Sequence, residues 1–347
     1  MGFTFTEKGF SDLISKLSQQ YRIFAPVLKK GAGRFTDTDT IYYEFVTDAS
    51  EIELERKSEY SFKDVLVPLS KTLFYFAEDE MKPAGEGADQ RDILVFARSC
   101  DMHALKRQDA IYLENGAEKD FFYERIREKL KFVLIGCTHD QKDCFCVSMG
   151  TNKTDDGYLF SVEKDPETGK VLSKLADASL ADLFKGACEE ERDVTPSFVT
   201  ENETKVSVPE NIPLSITRSN LWDEYNARCF ACGRCTLVCP TCTCFSIEDI
   251  YYTDNGDAGE RRRVQASCMI DGYTNVAGGG QYRKTKGERM RFKTLHKIKD
   301  FKSKFGYNMC VGCGRCTTTC PMYISFPEII NKVDKAVKEE AEGGAKA

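Results

Sequence analysis

The chain has 347 residues, 41% hydrophobic and 30% charged, enough for two domains with real cores. A net charge of −6 gives no basis for nucleic-acid binding, and no apolar run is long enough to cross a membrane. The first residues lack a basic segment followed by an apolar stretch, so no secretory leader is read and a cytoplasmic location is expected.

Phe10, Leu13, Ile14 and Leu17 recur at helical spacing and predict a helix over residues 6–21. The apolar runs Asp92–Ala97 and Lys131–Ile135 predict buried strands, with helical material at Met102–Leu113 and Phe121–Leu130 between them. Strand, helix, strand is a parallel-sheet pattern, so residues 1–205 are read as a mixed α/β domain. Lys82–Gln90, with Pro83, Gly85 and Gly87, reads as a loop. A polar stretch from Asp193 to Pro213, holding Pro196 and Pro209, marks a domain boundary. Leu221–Ala227 reads as a short helix opening a second domain, 215–335. Helix-like material is expected at Ser246–Tyr251 and Phe326–Lys338, and residues 336–347 are read as a flexible tail.

The 16 cysteines stand out. Most fall in tight clusters, where neighbours are better placed to share a metal than to bridge distant segments. One internal repeat organises them: Cys229, Cys232, Cys235 and Cys239-Pro240 recur as Cys310, Cys313, Cys316 and Cys320-Pro321. Three thiolates at i, i+3 and i+6 wrap a tight loop around three corners of a [4Fe–4S] cubane. The fourth, before a proline, points to the other cluster. Cluster one is therefore expected on Cys229, Cys232, Cys235 and Cys320, and cluster two on Cys310, Cys313, Cys316 and Cys239. Gly233 and Gly314 are expected to let the loops approach the clusters and to free backbone N–H groups for their sulfurs. Zinc usually takes two separated cysteine pairs around one tetrahedral ion, which this doubled pattern does not suit. The wide gap between Cys239 and Cys310 fits an α-helical ferredoxin domain built into a larger complex, not a small free ferredoxin.

Four more cysteines lie upstream: Cys100, Cys137, Cys144 and Cys146. If the two predicted strands are parallel neighbours, Cys100 and Cys137 emerge at their C-terminal edge, where α/β folds place ligands. Cys144 and Cys146 follow on the next loop. A third iron–sulfur cluster is expected there, with zinc as its rival. Asp101 and His139 are neighbours that could ligate or support it. Cys188, Cys242, Cys244 and Cys268 read as buried packing residues.

Residues 281–304 hold ten Lys and Arg, and Arg261, Arg262 and Arg263 add a second basic knot. These read as solvated surface, as compensation for cluster charge, or as a docking surface for an acidic partner. Gly278-Gly279-Gly280 is not a dinucleotide fingerprint. The three histidines, His103, His139 and His296, form no catalytic motif; His103 and His296 read as surface or packing.

The segments Arg98–Leu105, Cys144–Cys146, Cys239–Cys244 and the second repeat resemble, in order, the ferredoxin-like iron–sulfur subunit of anaerobic sulfite reductase. The β subunit of sulfhydrogenases is similar in the same segments. The resemblance implies an electron-transfer chain without a catalytic site of its own, in a cytoplasmic, NADH-dependent oxidoreductase complex. A flavin/NAD-binding partner would supply electrons and a sirohaem partner would reduce sulfite to sulfide. The alternatives are the relay β subunit of a NiFe (sulf)hydrogenase, a self-contained reductase, and a zinc-stabilised binding protein without a redox role.

Overall fold

The computed structural model describes residues 1–33, 37–85 and 89–344. Its N-terminal half is organised by an eight-stranded sheet. The strands are β1 (Gly2–Phe5), β2 (Arg22–Lys29), β3 (Thr40–Val46), β4 (Ser70–Ala77), β5 (Glu80–Pro83), β6 (Ile93–Arg98), β7 (Leu130–Ile135), β8 (Phe160–Lys164), β9 (Val171–Lys174) and β10 (Glu190–Glu191). All but β4 and β5 enter the large sheet, in the order β10-β1-β9-β8-β7-β6-β2-β3. The middle pairs β2–β6, β6–β7 and β7–β8 are parallel, and the flanks are antiparallel.

The run Ile93–Ala97 is apolar throughout because both faces of the sheet are covered. Alternate side chains of β6 point to opposite faces. Leu94 and Phe96 meet Phe10, Leu13, Ile14 and Leu17 of the helix Glu7–Gln20. Val95 and Ala97 share the opposite core with Met102, Leu105 and Tyr112 of the helix Ser99–Leu113 and with Tyr123 of the helix Phe121–Arg127. The predicted helices and strands of this half are therefore present, and the two strands are parallel neighbours.

In the C-terminal half one segment expected to be helical is a strand. Residues 246–251 belong to a strand, β11 (Phe245–Tyr251), which pairs with β12 (Ala258–Gln265) as an antiparallel hairpin. Alternation of Ile247 and Ile250 with acidic residues mimics a helical turn over so short a run, and cross-strand pairs such as Asp249 with Arg261 decide for the strand. β12 then pairs with β4, giving the sheet β11-β12-β4-β5. Part of the predicted loop 82–90 is thus strand β5, while residues 86–88 lie outside the described residues.

Around the repeats the chain is helical. Trp222 and Tyr225, Met290, Leu295 and Ile298, and Phe326, Ile329, Ile330 and Val333 form one core. The last four of these residues lie on the helix Phe326–Gly344, which also takes up most of the expected tail; residues 345–347 lie outside the described residues. The polar stretch after Asp193 runs against the first half: Ser197 carbonyl accepts from Cys137 N–H at 2.8 Å, and buried Asn202 accepts from Val147 N–H at 2.9 Å. With β4 paired to β12, the two halves are stitched together rather than joined by a free linker. Among the described residues no helix is long and apolar enough to cross a membrane.

Candidate metal centres

The two repeats fold alike. In each, the second cysteine is followed by a left-handed glycine, Gly233 at φ 74° and Gly314 at φ 69°, which opens a short helix: Arg234–Leu237 and Arg315–Thr318. In each, a backbone N–H two residues on donates to the first sulfur: Ala231 to Cys229 at 3.3 Å and Gly312 to Cys310 at 3.5 Å. Ile324 N–H donates to Cys320 Sγ at 3.4 Å. These N–H···S contacts stabilise thiolate charge.

The glycines do more than free N–H groups. A Cβ on Gly314 would lie 2.2 Å from Asp143 carbonyl, and one on Gly312 would lie 2.6 Å from Phe145 carbonyl. The second repeat is glycine-rich because the loop carrying Cys144 and Cys146 crosses directly over it.

Cys229, Cys232, Cys235 and Cys320 line one cavity, together with Cys316, Met269, Met290, Lys293 and Phe326. Cys239 lies within electrostatic reach of Cys310, Cys313 and Cys316. Cys320 thus shares a cavity with the first three cysteines of the first repeat, and with Cys316 of its own, while Cys239 lies near the first three of the second. Burial pushes the Cys310 thiol up to about 12 and raises Cys229, Cys313 and Cys316 as well. Such thiols give up their protons to a metal, not to water.

Upstream, Cys137, Cys144 and Cys146 lie within reach of one another, and Cys100 lies within reach of Cys144 and of Cys313. Arg98 donates to Cys137 Sγ at 3.4 Å, and Lys57 donates to Cys144 Sγ at 3.3 Å and to Cys313 carbonyl at 2.8 Å. This group abuts the second repeat, where Phe145 N–H meets Gly312 carbonyl at 2.8 Å.

Two expected neighbours of the third group have other work. Asp101 is fully buried in a two-pronged pair with Arg315, at 2.6 and 3.0 Å, so its carboxylate is not free to ligate. His139 is held in its loop by Thr138 and by Gln141 at 2.9 Å. His296, expected at the surface, is half-buried and stacked on Phe292, and burial lowers its pKa to about 4.

Cys242 hydrogen-bonds Cys239, and Cys244 hydrogen-bonds Cys268 and Tyr273, so these three thiols pack beside the repeats. Cys188 donates weakly to Lys185 carbonyl far from them. Among the described residues, no three His, Cys, Asp or Glu side chains converge closely enough to hold a single metal ion.

Three lysines are buried: Lys293 and Lys297, which belong to the basic run 281–304, and Lys63, which the sequence reading did not single out. Lys63, Lys293 and Lys297 point into the cysteine-rich region. Lys293 sits in the cavity of the first set and hydrogen-bonds Cys235, while Lys297 hydrogen-bonds Cys239. A buried ammonium needs an anion. The anions within reach of Lys293 and Lys297 are cysteine sulfurs, and Lys63 meets Cys239, Cys242 and Asp64; this is how a polyanionic iron–sulfur group would be received, and the residues fit such a group. Compensation of cluster charge is one of the three readings of the basic run 281–304; the run itself does not show which of its ten cations are buried.

Comparison with known proteins agrees with this chemistry. The profile of a 4Fe-4S dicluster domain family matches residues 228–324. The chain is 28% identical over 337 residues to the sulfhydrogenase 2 subunit beta of Pyrococcus furiosus, covering 93% of this chain and 96% of that one. No solved structure matches. The chain is thus a mixed α/β protein with a C-terminal dicluster domain; it carries [4Fe–4S] clusters and serves electron transfer.

Proposed function

We propose that this chain is the electron-relay subunit of a hydrogenase-type complex, similar in role to a sulfhydrogenase β subunit. The observation that carries this reading is likeness over nearly the full length of both chains, including the α/β half that simple ferredoxins lack. Cluster one is assigned to Cys229, Cys232, Cys235 and Cys320, and cluster two to Cys310, Cys313, Cys316 and Cys239. A third is assigned to Cys100, Cys137, Cys144 and Cys146, and the chain is placed in the cytoplasm. The clusters supply one-electron steps; the protein holds them in line, shields them, and sets their charge environment.

Of all the cysteines only Cys232 is exposed, and it shares a cavity with exposed Phe230 and Met322. Cluster one is therefore the surface station, cluster two the middle one, and the upstream set the inner one.

A second reading is the relay of an anaerobic sulfite reductase, set between a flavin/NADH-oxidising partner and a sirohaem partner. The Cys100-Asp101, Cys144–Cys146 and Cys242–Cys244 segments favour it as much as they favour the first. Anaerobic isolation of the complex with its partners separates the two: nickel without sirohaem supports the hydrogenase reading, and sirohaem without nickel overturns it.

A further inference from the structure

The helix Lys286–Leu295 continues into a π-turn, His296–Asp300. Lys293 and Lys297 lie one helical turn apart across this junction, and they are 4% and 3% exposed. Lys293 Nζ lies 4.8 Å from the centre of the Phe326 ring and bonds Cys235. Lys297 Nζ bonds Thr241 Oγ1 at 2.8 Å and Cys239. Among the described residues neither has a carboxylate partner, and the anionic groups acting on both are cysteines. The same helix does pair a buried cation with a carboxylate elsewhere: Arg289 bonds Asp271 at 2.7 Å. The missing carboxylates at the two lysines are thus particular to the face turned toward the repeats.

A carboxylate there would cancel the cation. Without one, each ammonium's full charge falls on the sulfurs it bonds, and these belong to different ligand sets. Cys235 is in the first set and Cys239 in the second. Lys293 also reaches Cys316, and Lys297 reaches Cys310, both in the second set.

We infer that Lys293 and Lys297 are potential-setting residues, one beside a cysteine assigned to cluster one and one beside a cysteine assigned to cluster two, that hold both centres ready to take an electron. This rests on the ligand assignment above. Each transfer adds one electron from a redox partner and one negative charge to a cluster. The lysine keeps its proton, and its fixed positive charge favours the reduced form.

The geometry fixes an asymmetry. Lys297 acts on second-set sulfurs, so Lys297→Met lowers the midpoint of cluster two and leaves cluster one in place. Lys293 bonds a first-set sulfur and also reaches the second set, so Lys293→Met lowers cluster one most and cluster two less. The expected loss is about tenfold or more in the reduced-to-oxidised ratio, or about 59 mV for a one-electron couple. Lys→Arg at either position keeps the charge and holds the midpoint near the parent value.

The test is an EPR-monitored redox titration of the anaerobically purified full chain and these variants, with iron content measured alongside. Midpoints unchanged in both Met variants at full iron content overturn the inference. If a Met variant loses its iron, the wild-type chain labelled at lysine Nζ with nitrogen-15 decides. A nitrogen-15 coupling to the reduced clusters that is lost in the equally labelled Lys293→Arg and Lys297→Arg variants supports the inference, and a coupling absent or unchanged in them overturns it. A wild-type chain without iron overturns the ligand assignment instead.

Discussion

The side chains that matter most here are cations placed against sulfur or against one buried carboxylate. Arg315 and Asp101 are both fully buried, and Arg315 also bonds Ser58 carbonyl and hydroxyl at 3.0 Å. Removing one partner leaves the other charged and unpaired, so Asp101→Asn is expected to destabilise the chain by about 3–5 kcal/mol. Anaerobic urea unfolding checks this, with a shift below about 1 kcal/mol counting against it. The two repeats share the motif Cys-Gly-Arg-Cys-Thr, yet Arg234 is only half-buried where Arg315 is sealed. The motif was legible in the sequence; the different fates of its two arginines were not, because Asp101 lies 214 positions from Arg315. Gly314 is another residue-scale case. Gly314→Ala would put a Cβ into Asp143 carbonyl at φ 69°, whereas Gly306, at φ 84°, faces open space. Gly306→Ala should cost only the left-handed backbone penalty, about 1–2 kcal/mol. Gly314→Ala should cost clearly more and lower iron content, measured by unfolding midpoint and metal analysis. Equal costs would show that the Cys144 loop does not press on the second repeat.

At the scale of elements, strand β6 and the helix after it were readable from composition. An unbroken apolar run bounded by polar residues fits a parallel strand covered on both faces, and Arg98–Leu105 follows at once. The strand β11 was not readable: Ile247 and Ile250 stand at helical spacing in its short run, and the hairpin it forms with β12 is anchored on β4 from far upstream in the chain. The helix carrying the two lysines was legible as basic, but its buried face was not. That helix also holds His296, whose depressed pKa has a sign that can be worked out. Unfolded, the imidazole takes a proton near pH 6.5; folded, it resists until about pH 4. The unfolded state thus binds more protons in this window, and the contribution of His296 to stability is present above pH 6.5 and lost as pH falls. His296→Gln should flatten the fall in unfolding free energy between about pH 7 and pH 5. An unchanged slope would show that the imidazole is hydrated in the native state.

Across the whole molecule, the two halves share a sheet, a buried ion pair and a set of loop contacts around the second repeat. Phe145 N–H and Thr151 hydroxyl reach the Gly312 and Val311 carbonyls, at 2.8 and 2.6 Å. The upstream cysteines are therefore packed on the dicluster region, not held in a separate body. The proposed crossed ligation has a further consequence. Cys239→Ser, although it lies in the first repeat, should disturb the signals of cluster two and spare those of cluster one; the reverse pattern in EPR spectra of the reduced chain would refute the crossing. The three-station reading is tested most directly by counting iron and acid-labile sulfide in the anaerobically purified chain. Three cubanes require about twelve of each per chain. A count near eight would remove the upstream station, and zinc in place of iron would contradict the electron-relay account as a whole.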